Sequence, residues 1–284
     1  MVKAQDWKSK GKMITINNHN IFVIDQGQSK HTLLILHGYP TSSFDYYKVL
    51  PELSKFYRVI IHDHIGFGFS DKPITYSYSL IDQATIALQL WEHLNITHAT
   101  LLAHDYGTSI ATEIIARANK CSINLTLEKL ILCNGSIHIE LSQLRLIQKL
   151  LKHSIIGPYV RYFTNAYIFN RNIKNVFFDA NMVTDQELKA MWEQLIHNNG
   201  KSVIHKLSNY INERYTYWDR WIGALKETPI PTQIIWAEND PVAVPDIARL
   251  LATEITNNQL HWLPKTGHFP MIESPEAWIA LVID

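Results

Sequence analysis

The sequence Thr-Leu-Leu-Ala-His-Asp-Tyr-Gly-Thr occupies residues 100–108, where a short apolar run passes into a helical pattern. Small residues stand two positions before and two positions after Asp105, at Ala103 and Gly107, as a tight turn between a strand and a helix requires. Glycine is more usual than alanine at the first of these positions. We therefore predict a strand, a sharp turn with Asp105 at its centre, and a helix from Thr108. The alternative is that Asp105 only caps the helix, which aspartate commonly does after a strand.

Short apolar runs alternate with helix-length segments along most of the chain. The runs do not alternate apolar with polar residues, a pattern typical of strands buried on both faces. They are Leu33–Leu36, Arg58–Ile61, Thr100–Ala103, Leu130–Cys133 and Gln233–Trp236. Strands that alternate with helices predict right-handed crossovers and a mainly parallel sheet. Met13–Ile24 differs, because Asn17-Asn18-His19-Asn20 in its middle predicts a hairpin at the sheet edge.

Residues 136–224 show helical patterns and no convincing strand. Thr184 and Glu187 form a capping box that opens a helix in this stretch. Two interpretations are possible: a helical linker between domains, or a helical cap inserted after the sixth strand over the carboxyl ends of the sheet, where ligands bind in open α/β folds. We favour the cap, which divides the chain into a core of residues 1–135 and 225–284 and a cap of residues 136–224.

The residue at the centre of the turn limits the chemistry that this site can perform. A serine that attacked a saturated carbon would form an ether that the protein could not hydrolyse, whereas a carboxylate forms an ester that water can cleave. Aspartate is also ionised at neutral pH without help from a base, since its reference pKa is about 3.9. Asp105 therefore favours displacement at an sp³ carbon, as in epoxide opening or carbon–halogen cleavage.

Two further polar residues follow apolar runs in the order of a nucleophile–acid–histidine triad. Asp240 comes first along the chain, and His268 follows in Gly-His-Phe-Pro. We predict that Asp240 orients His268 and stabilises its cation. Glu238 and Glu140 are the alternatives for the acid.

The loop His37-Gly38-Tyr39-Pro40 follows the Leu33–Leu36 run. A loop in this position can aim a backbone N–H at a developing oxyanion, and the residue after the nucleophile supplies a second donor. We therefore predict an oxyanion hole made of the backbone N–H groups of Tyr39 and Tyr106.

Composition and charge exclude several classes of protein. Lys plus Arg number 26 and Asp plus Glu number 26, so the chain lacks the overall positive charge that nucleic-acid binding needs. Cys121 and Cys133 form neither a disulfide framework nor a CxxC zinc motif. No apolar run approaches the roughly 18 residues of a membrane span, and the N-terminus lacks the apolar core of a signal peptide. We therefore expect a soluble cytoplasmic protein without metal, cofactor, nucleic-acid partner or membrane span.

Four motifs in this order resemble the α/β-hydrolase superfamily, specifically its branch of epoxide hydrolases and haloalkane dehalogenases. They are His37–Pro40, Asp63–Ser70, His104–Gly107 and Gly267–Pro270. The closer resemblance is to the mesoderm-specific transcript protein subgroup, which shares the His-Asp-Tyr-Gly turn, Cys133-Asn134-Gly135 and Tyr210-Ile211-Asn212. The resemblance implies an α/β-hydrolase fold, with a mostly parallel central sheet, helices on both faces and a helical cap inserted after the sixth strand.

The resemblance also indicates the kind of substrate. Haloalkane dehalogenases typically place Trp after the nucleophile, and many place Asn after His-Gly, to hold the halide; this chain has Tyr106 and Tyr39 there. Epoxide hydrolases use cap tyrosines to protonate the opening ring, a role that the resemblance assigns to Tyr210. A second such tyrosine would be Tyr162 or Tyr167. The expected substrate contacts are His37, Tyr162, Tyr167 and Trp218.

The resulting prediction is a hydrolase that forms an ester on Asp105 and acts on a small apolar substrate, most simply an epoxide. A haloalkane dehalogenase is one alternative, and a non-catalytic ligand- or partner-binding protein of the same fold is another. The complete set of Asp105, Asp240 and His268 favours an enzyme, since a receptor need not retain an aspartate nucleophile.

Overall fold

One eight-stranded sheet forms the centre of the protein within residues 3–153 and 155–284, which the computed structural model describes. The strands are β1 (Lys12–Ile16), β2 (His19–Gln26), β3 (Thr32–Leu36), β4 (Arg58–His62), β5 (His98–His104), β6 (Thr126–Cys133), β7 (Thr232–Ala237) and β8 (Asn258–Leu263). Their order in the sheet is β1-β2-β4-β3-β5-β6-β7-β8. The β1–β2 and β2–β4 pairs are antiparallel, and every other neighbouring pair is parallel. The prediction of a mostly parallel central sheet is confirmed.

Fourteen α-helices accompany the strands in the described part of the chain. They are α1 (Ala4–Lys8), α2 (Leu50–Phe56), α3 (Leu80–His93), α4 (Tyr106–Ala118), α5 (Leu146–Leu151), α6 (Gly157–Phe163), α7 (Ala166–Lys174), α8 (Asp185–Ile196), α9 (Ile204–Leu207), α10 (Tyr210–Thr216), α11 (Trp218–Glu227), α12 (Pro245–Glu254), α13 (Pro270–Glu273) and α14 (Pro275–Ile283). All residues of β3 and β7 are buried, so the sheet is covered on both faces. None of the described helices is both long enough and apolar enough to cross a membrane.

The hairpin expected near the N-terminus is formed by β1 and β2. Met13 lies opposite Phe22, and Ile16 lies opposite His19. Asn17 and Asn18 at the turn both have positive φ, at 48° and 63°. Asparagine tolerates this conformation, which the two-residue turns of hairpins require. Because β1 lies at the edge of the sheet, the prediction of an edge hairpin is confirmed.

The chain between β6 and β7 folds into the seven helices α5 to α11, and its described residues contain no strand. We call residues 146–227 the helical insertion. As the sequence predicts, α8 opens with a capping box, in which Thr184 Oγ1 accepts a hydrogen bond from the backbone N–H of Glu187 at 3.2 Å. The insertion follows the sixth strand, whereas the division of the chain at residues 135 and 224 stays a prediction.

The carboxyl ends of β3 and β5 to β8 lie at one edge of the sheet, because these strands are parallel. The segments that follow these strands therefore come together in space. Tyr39, Asp105, Asn134, Asp240 and His268 each lie in one of these segments. This sheet edge is the place where the fold assembles polar side chains.

Candidate active site

Asp105 lies between the end of β5 and the first residue of α4, with φ 44° and ψ −108°. A residue with a Cβ atom rarely adopts a positive φ, and does so where surrounding packing fixes the turn. Gly107 shows how close this packing is, because a Cβ atom there would lie 2.3 Å from the backbone oxygen of Leu36. The Asp105 side chain makes no capping hydrogen bond to α4. The turn therefore presents the carboxylate instead of using it as a helix cap.

The Asp105 carboxylate is buried among groups that stabilise its negative charge. Its Oδ2 atom accepts a hydrogen bond from the backbone N–H of Tyr39 at 3.0 Å. The Nε2 atom of His268 lies 3.8 Å from the same oxygen. Burial would raise the pKa of Asp105, but His268, Arg214 and His104 outweigh it and hold the pKa below its usual value. Asp105 is therefore an ionised carboxylate at neutral pH.

The two backbone N–H groups expected to stabilise an oxyanion flank this carboxylate. The N–H of Tyr39 already points at Asp105. Tyr106 is the first residue of α4, so its N–H has no acceptor within the helix. The Tyr39 N–H thus contacts the carboxylate, and the Tyr106 N–H belongs to the residue that follows Asp105 and is free of an intrahelical acceptor.

Asp240 and His268 form a hydrogen-bonded pair beside Asp105. The Nδ1 atom of His268 lies 2.7 Å from Asp240 Oδ2. Asp240 Oδ1 accepts the backbone N–H groups of Val242 and Ala243, at 2.8 and 3.0 Å. Burial would lower the pKa of His268, but the charge of Asp240, the hydrogen bond to Asp240 and the nearby charge of Asp105 raise it to about 10. The Asp240 carboxylate thus contacts the Nδ1 atom of His268, and its charge favours the protonated ring.

The two alternatives for the acid lie elsewhere. Glu238 is exposed just after the end of β7. Glu140 Oε1 accepts a hydrogen bond from His138 Nδ1 at 2.7 Å. Of these three carboxylates, Asp240 is the one that is hydrogen-bonded to the His268 ring.

Two residues that the sequence analysis missed hold this pair in place. Asn134, directly after β6, donates its side-chain N–H to Asp240 Oδ2 at 2.7 Å. Its side-chain oxygen accepts the backbone N–H of Ala237 at 3.2 Å. His104 Nε2 donates to the backbone oxygen of His268 at 2.8 Å. An asparagine directly after a buried strand was the signal that could have identified Asn134, whereas no sequence pattern pointed to this contact of His104.

Arg214 in α10 places a buried cation against the turn, with 1% of its side chain exposed. Its Nη2 atom donates to the backbone oxygen of Asp105 at 3.0 Å and lies 3.8 Å from the Oδ1 atom. Its Nε atom donates to Ser109 Oγ at 2.7 Å. Arg214 therefore links the helical insertion to the turn. Sequence analysis missed this residue, because an arginine in a short polar helix predicts an exposed side chain.

Tyr210 is the first residue of α10 and lies close to Asp105. It does not line the cavity that lies between the sheet edge and the helical insertion. Its ring packs against the rings of Tyr39 and Tyr106, with centroids 5.4 and 5.3 Å apart. Its hydroxyl oxygen accepts a hydrogen bond from Gln148 Nε2 at 3.0 Å. Burial and the charge of Asp105 raise the pKa of Tyr210, so that its hydroxyl stays protonated.

A cavity lies between the sheet edge and the helical insertion. The residues outside the insertion that line it are Tyr39, Pro40, Asp105, Arg145, Val242, His268 and Phe269. The residues from the insertion are Ile147, Gln148, Leu151, Thr164, Ile168, Phe169, Asn172, Ile173, Val176 and Ile204. A mainly apolar wall with a few convergent polar groups is typical of small-molecule sites.

Three of the predicted substrate contacts lie outside this cavity and are corrected here. Tyr162 and Tyr167 are 67% and 74% exposed. Trp218 donates its indole N–H to Glu140 at 3.0 Å. The helices α6 and α7 turn other residues toward the interior, and the sequence pattern did not reveal that rotation.

His37, the fourth predicted substrate contact, is also corrected, because it is fully buried beneath its own loop. Its Nδ1 atom donates to the backbone oxygen of Gly38 at 2.8 Å. Its Nε2 atom accepts the backbone N–H of His64 at 3.1 Å. With both ring nitrogens engaged, His37 holds the loop that carries Tyr39.

Comparison with known proteins identifies the family. Residues 31–275 match the family described as alpha/beta hydrolase fold. The LipZ protein of Mycobacterium tuberculosis is 34% identical over 99% of this chain and 98% of its own length. The mesoderm-specific transcript protein of Mus musculus is 36% identical over 96% of this chain and 84% of its own. The chain therefore belongs to the α/β-hydrolase fold family.

A solved structure shows the same likeness in three dimensions. The epoxide hydrolase CorEH superposes with a TM-score of 0.78 over 96% of each chain, at 17% identity. At that identity the likeness concerns the fold.

Among the described residues, no group of three or more His, Cys, Asp or Glu is placed to hold a metal ion. The protein is a hydrolase of the α/β fold.

Proposed function

We propose that this protein hydrolyses epoxides through an ester formed on Asp105. The observation that carries the proposal is the ionised Asp105 carboxylate on its strained turn at the cavity, with His268 Nε2 3.8 Å from Oδ2. The apolar lining suits a small, largely apolar substrate. We also propose that the helical insertion acts as the cap over this cavity.

In the first step, Asp105 attacks an epoxide carbon from the side opposite the ring oxygen. Oδ2 is occupied by the N–H of Tyr39, which leaves Oδ1 as the attacking atom. The hydroxyl of Tyr210 accepts from Gln148, so its own hydrogen remains free to be donated. An epoxide oxygen that reaches this hydroxyl receives the proton as the carbon–oxygen bond breaks. An alkyl ester of Asp105 and a Tyr210 phenolate result.

Ester formation changes the protonation of His268 at the moment when a base is needed. The Asp105 carboxylate helps to raise the pKa of His268 in the free protein. The ester carries no charge, so the pKa of His268 falls toward the range in which imidazole is neutral at pH 7, and the ring releases to solvent a proton that it regains when the Asp105 carboxylate is restored. The negative charge of Asp240 stays and stabilises the cation that forms.

In the second step, His268 takes a proton from water as the oxygen attacks the Asp105 carbonyl carbon. The N–H groups of Tyr39 and Tyr106 stabilise the resulting oxyanion, each contributing about 3 kcal/mol. The bond to the product oxygen then breaks, and the diol leaves with the proton from His268. The proton left on the Asp105 carboxyl returns to Tyr210.

This cavity offers a departing halide less stabilisation than it offers the oxygen of an opening epoxide. The haloalkane dehalogenases that this chain resembles typically hold the departing halide with a tryptophan next to the nucleophile, and the described residues that line the cavity include no tryptophan. The side chain of Tyr106, next to Asp105, lies outside the lining as well. Epoxide opening needs an acid, and the hydroxyl of Tyr210, although itself outside the lining, is hydrogen-bonded to Gln148, which lines the cavity.

His268→Gln tests the proposal directly, because only the second step needs a base. Incubated with an epoxide that the wild type hydrolyses, this variant should gain the mass of the substrate on the peptide that contains Asp105. The wild type should turn over the same epoxide without accumulating the adduct, and an Asp105→Asn/His268→Gln double variant should gain no mass. Absence of an adduct in His268→Gln with every epoxide that the wild type hydrolyses would contradict the ester route.

A further inference from the structure

Residues 141–178 carry a charge that is unusual in this otherwise neutral chain. They contain six Lys or Arg and no Asp or Glu, and they include α5, α6 and α7. Lys174 is paired with Asp185 at 3.0 Å. The remaining five have no carboxylate within 4.0 Å in the described part of the chain: Arg145, Lys149, Lys152, Arg161 and Arg171. The segment therefore presents uncompensated positive charge.

The same segment exposes large hydrophobic side chains. It contains nine of the fifteen well-exposed ones among the described residues. Leu146 and Phe163 are 72% and 73% exposed. An apolar groove on this face is lined by residues that include Ile147, Leu150, Ile156, Tyr159, Phe163 and Ile168. Exposed apolar surface of this kind marks an interaction site.

We propose that this basic, apolar face (residues 141–178) docks the protein on the surface of an anionic lipid bilayer. Aromatic and aliphatic side chains enter the boundary between headgroups and acyl chains, while Lys and Arg meet the negative headgroups. A second copy of this chain would set positive charge against positive charge. Nucleic acid would use the basic residues but leaves the aliphatic ones without a partner. An anionic bilayer satisfies both sets of side chains.

The groove and the cavity are neighbours on this face. Ile147, Thr164 and Ile168 contribute to the lining of both. An apolar molecule dissolved in the bilayer would thus meet the cavity from the docked side. This route for a substrate rests on the proposed function, whereas docking itself does not.

Sedimentation of the full chain with lipid vesicles tests the docking. We expect binding to phosphatidylcholine vesicles that contain phosphatidylserine, little binding to phosphatidylcholine alone, and a loss of binding as salt screens the charges. Lys149→Gln and Arg171→Gln should each weaken binding about fivefold. Lys10→Gln and Lys12→Gln, exposed cations outside the face, are the matched controls and should leave binding unchanged.

A second pair of variants tests the contribution of the exposed apolar side chains to vesicle binding. Phe163→Ser should weaken vesicle binding roughly tenfold. Ile74→Ser removes a side chain that is 63% exposed outside the face, and should have no effect. Because both side chains are exposed, the thermal unfolding of each variant should match that of the wild type.

Three results would overturn the proposal: no binding to either vesicle, equal binding to both, or equal losses in the matched controls. Self-association that Phe163→Ser abolishes, without vesicle binding, would assign the face to a second copy of the chain instead. None of these measurements requires turnover, so a failure here is distinguishable from a failure of the proposed reaction.

Discussion

The two sides of the cavity hold their polar groups by different means. On the sheet edge, the carboxylates of Asp105 and Asp240 accept backbone N–H groups from the loops that follow β3 and β7. On the helical insertion, Tyr210 and Arg214 reach the site through side-chain contacts from one seven-residue helix. A group held by backbone is in place whenever the sheet has folded, whereas a side-chain contact depends on single residues. The sheet edge is therefore suited to hold the reacting groups, and the insertion is suited to adjust the reaction that they perform.

Removing the central carboxylate should have the largest effect on the sheet side. Asp105→Ala leaves no atom to form the ester, so kcat/KM for epoxide hydrolysis should fall by at least about 10⁴-fold. Steady-state assays with an active epoxide measure this. Asp246→Ala, which removes an exposed aspartate of α12, should leave the rate unchanged. Residual activity in Asp105→Ala within tenfold of the wild type would place the chemistry elsewhere.

Removing the proposed acid of the helical insertion, Tyr210, should have a smaller effect on the rate, and that effect should depend on the substrate. Tyr210→Phe removes the proton donor for the ring oxygen, so epoxide opening should slow by roughly 10²-fold. An alkyl halide needs no such proton, and its rate of ester formation should barely change. Tyr162→Phe alters an exposed tyrosine of the same insertion and serves as the control. Equal losses with both substrate types would remove Tyr210 from the role of acid.

Arg214→Gln tests whether the helical insertion positions the turn that carries Asp105. The 3.0 Å bond from Arg214 to the Asp105 backbone oxygen is shorter than its 3.8 Å distance to the carboxylate, so loss of positioning should outweigh any gain in nucleophilicity. A hydrogen bond to a charged group is worth about 1.5–3 kcal/mol, which corresponds to ester formation slower by roughly tenfold or more. Rapid-quench measurement of the ester reports this step.

Two further variants separate positioning by Arg214 from a general effect on folding. Arg214→Lys should recover part of the rate. Arg220→Gln breaks an ion pair with Glu113 on the neighbouring helix and should leave ester formation unchanged. An unchanged rate of ester formation in Arg214→Gln would show that the insertion does not act on the turn.

The last effect concerns the stability of the sheet side in acid and not the rate of the reaction. Burial lowers the pKa of His37 and His62 to about 3, that of His104 to about 4, and that of His64 well below its usual value. In the unfolded chain such rings bind protons below pH 6.5, so the free energy of unfolding falls as the pH drops below that value. Each ring contributes a slope of about 1.4 kcal/mol per pH unit until its folded-state pKa is reached.

His62→Phe should remove one such contribution. Its ring nitrogens have no hydrogen-bond partner in the described structure, so phenylalanine can replace the ring without leaving a polar group unpaired. Urea unfolding between about pH 7 and pH 4 should show a shallower pH dependence than in the wild type. His98→Gln changes an exposed histidine and provides the comparison. Identical slopes in His62→Phe and the wild type would contradict this account of acid sensitivity.

The sequence was informative about the sheet edge for a physical reason. Parallel strands end at one edge, so residues that directly follow them converge whatever their separation along the chain. Asp105, Asp240 and His268 could therefore be expected to meet from their positions alone. Asn134 follows the same rule, and the sequence analysis quoted it without giving it this role.

The helical insertion could not be predicted to the same depth. The residues that a short helix turns inward depend on what packs against it, and composition does not determine that rotation. Tyr162 and Tyr167 were expected at the substrate and lie at the surface, whereas Arg214 was overlooked and lies buried beside Asp105. Only tertiary contacts distinguish these cases.

A single turnover in ¹⁸O-labelled water tests the central claim most directly, namely that Asp105 forms an ester which water then cleaves at its carbonyl carbon. With enzyme in excess over an active epoxide, the label should enter the carboxylate of Asp105, and the first diol formed should contain none. Peptide mass spectrometry locates the label in the protein. Label in the first diol, with an unlabelled Asp105, would mean that water attacks the substrate directly and would contradict the account.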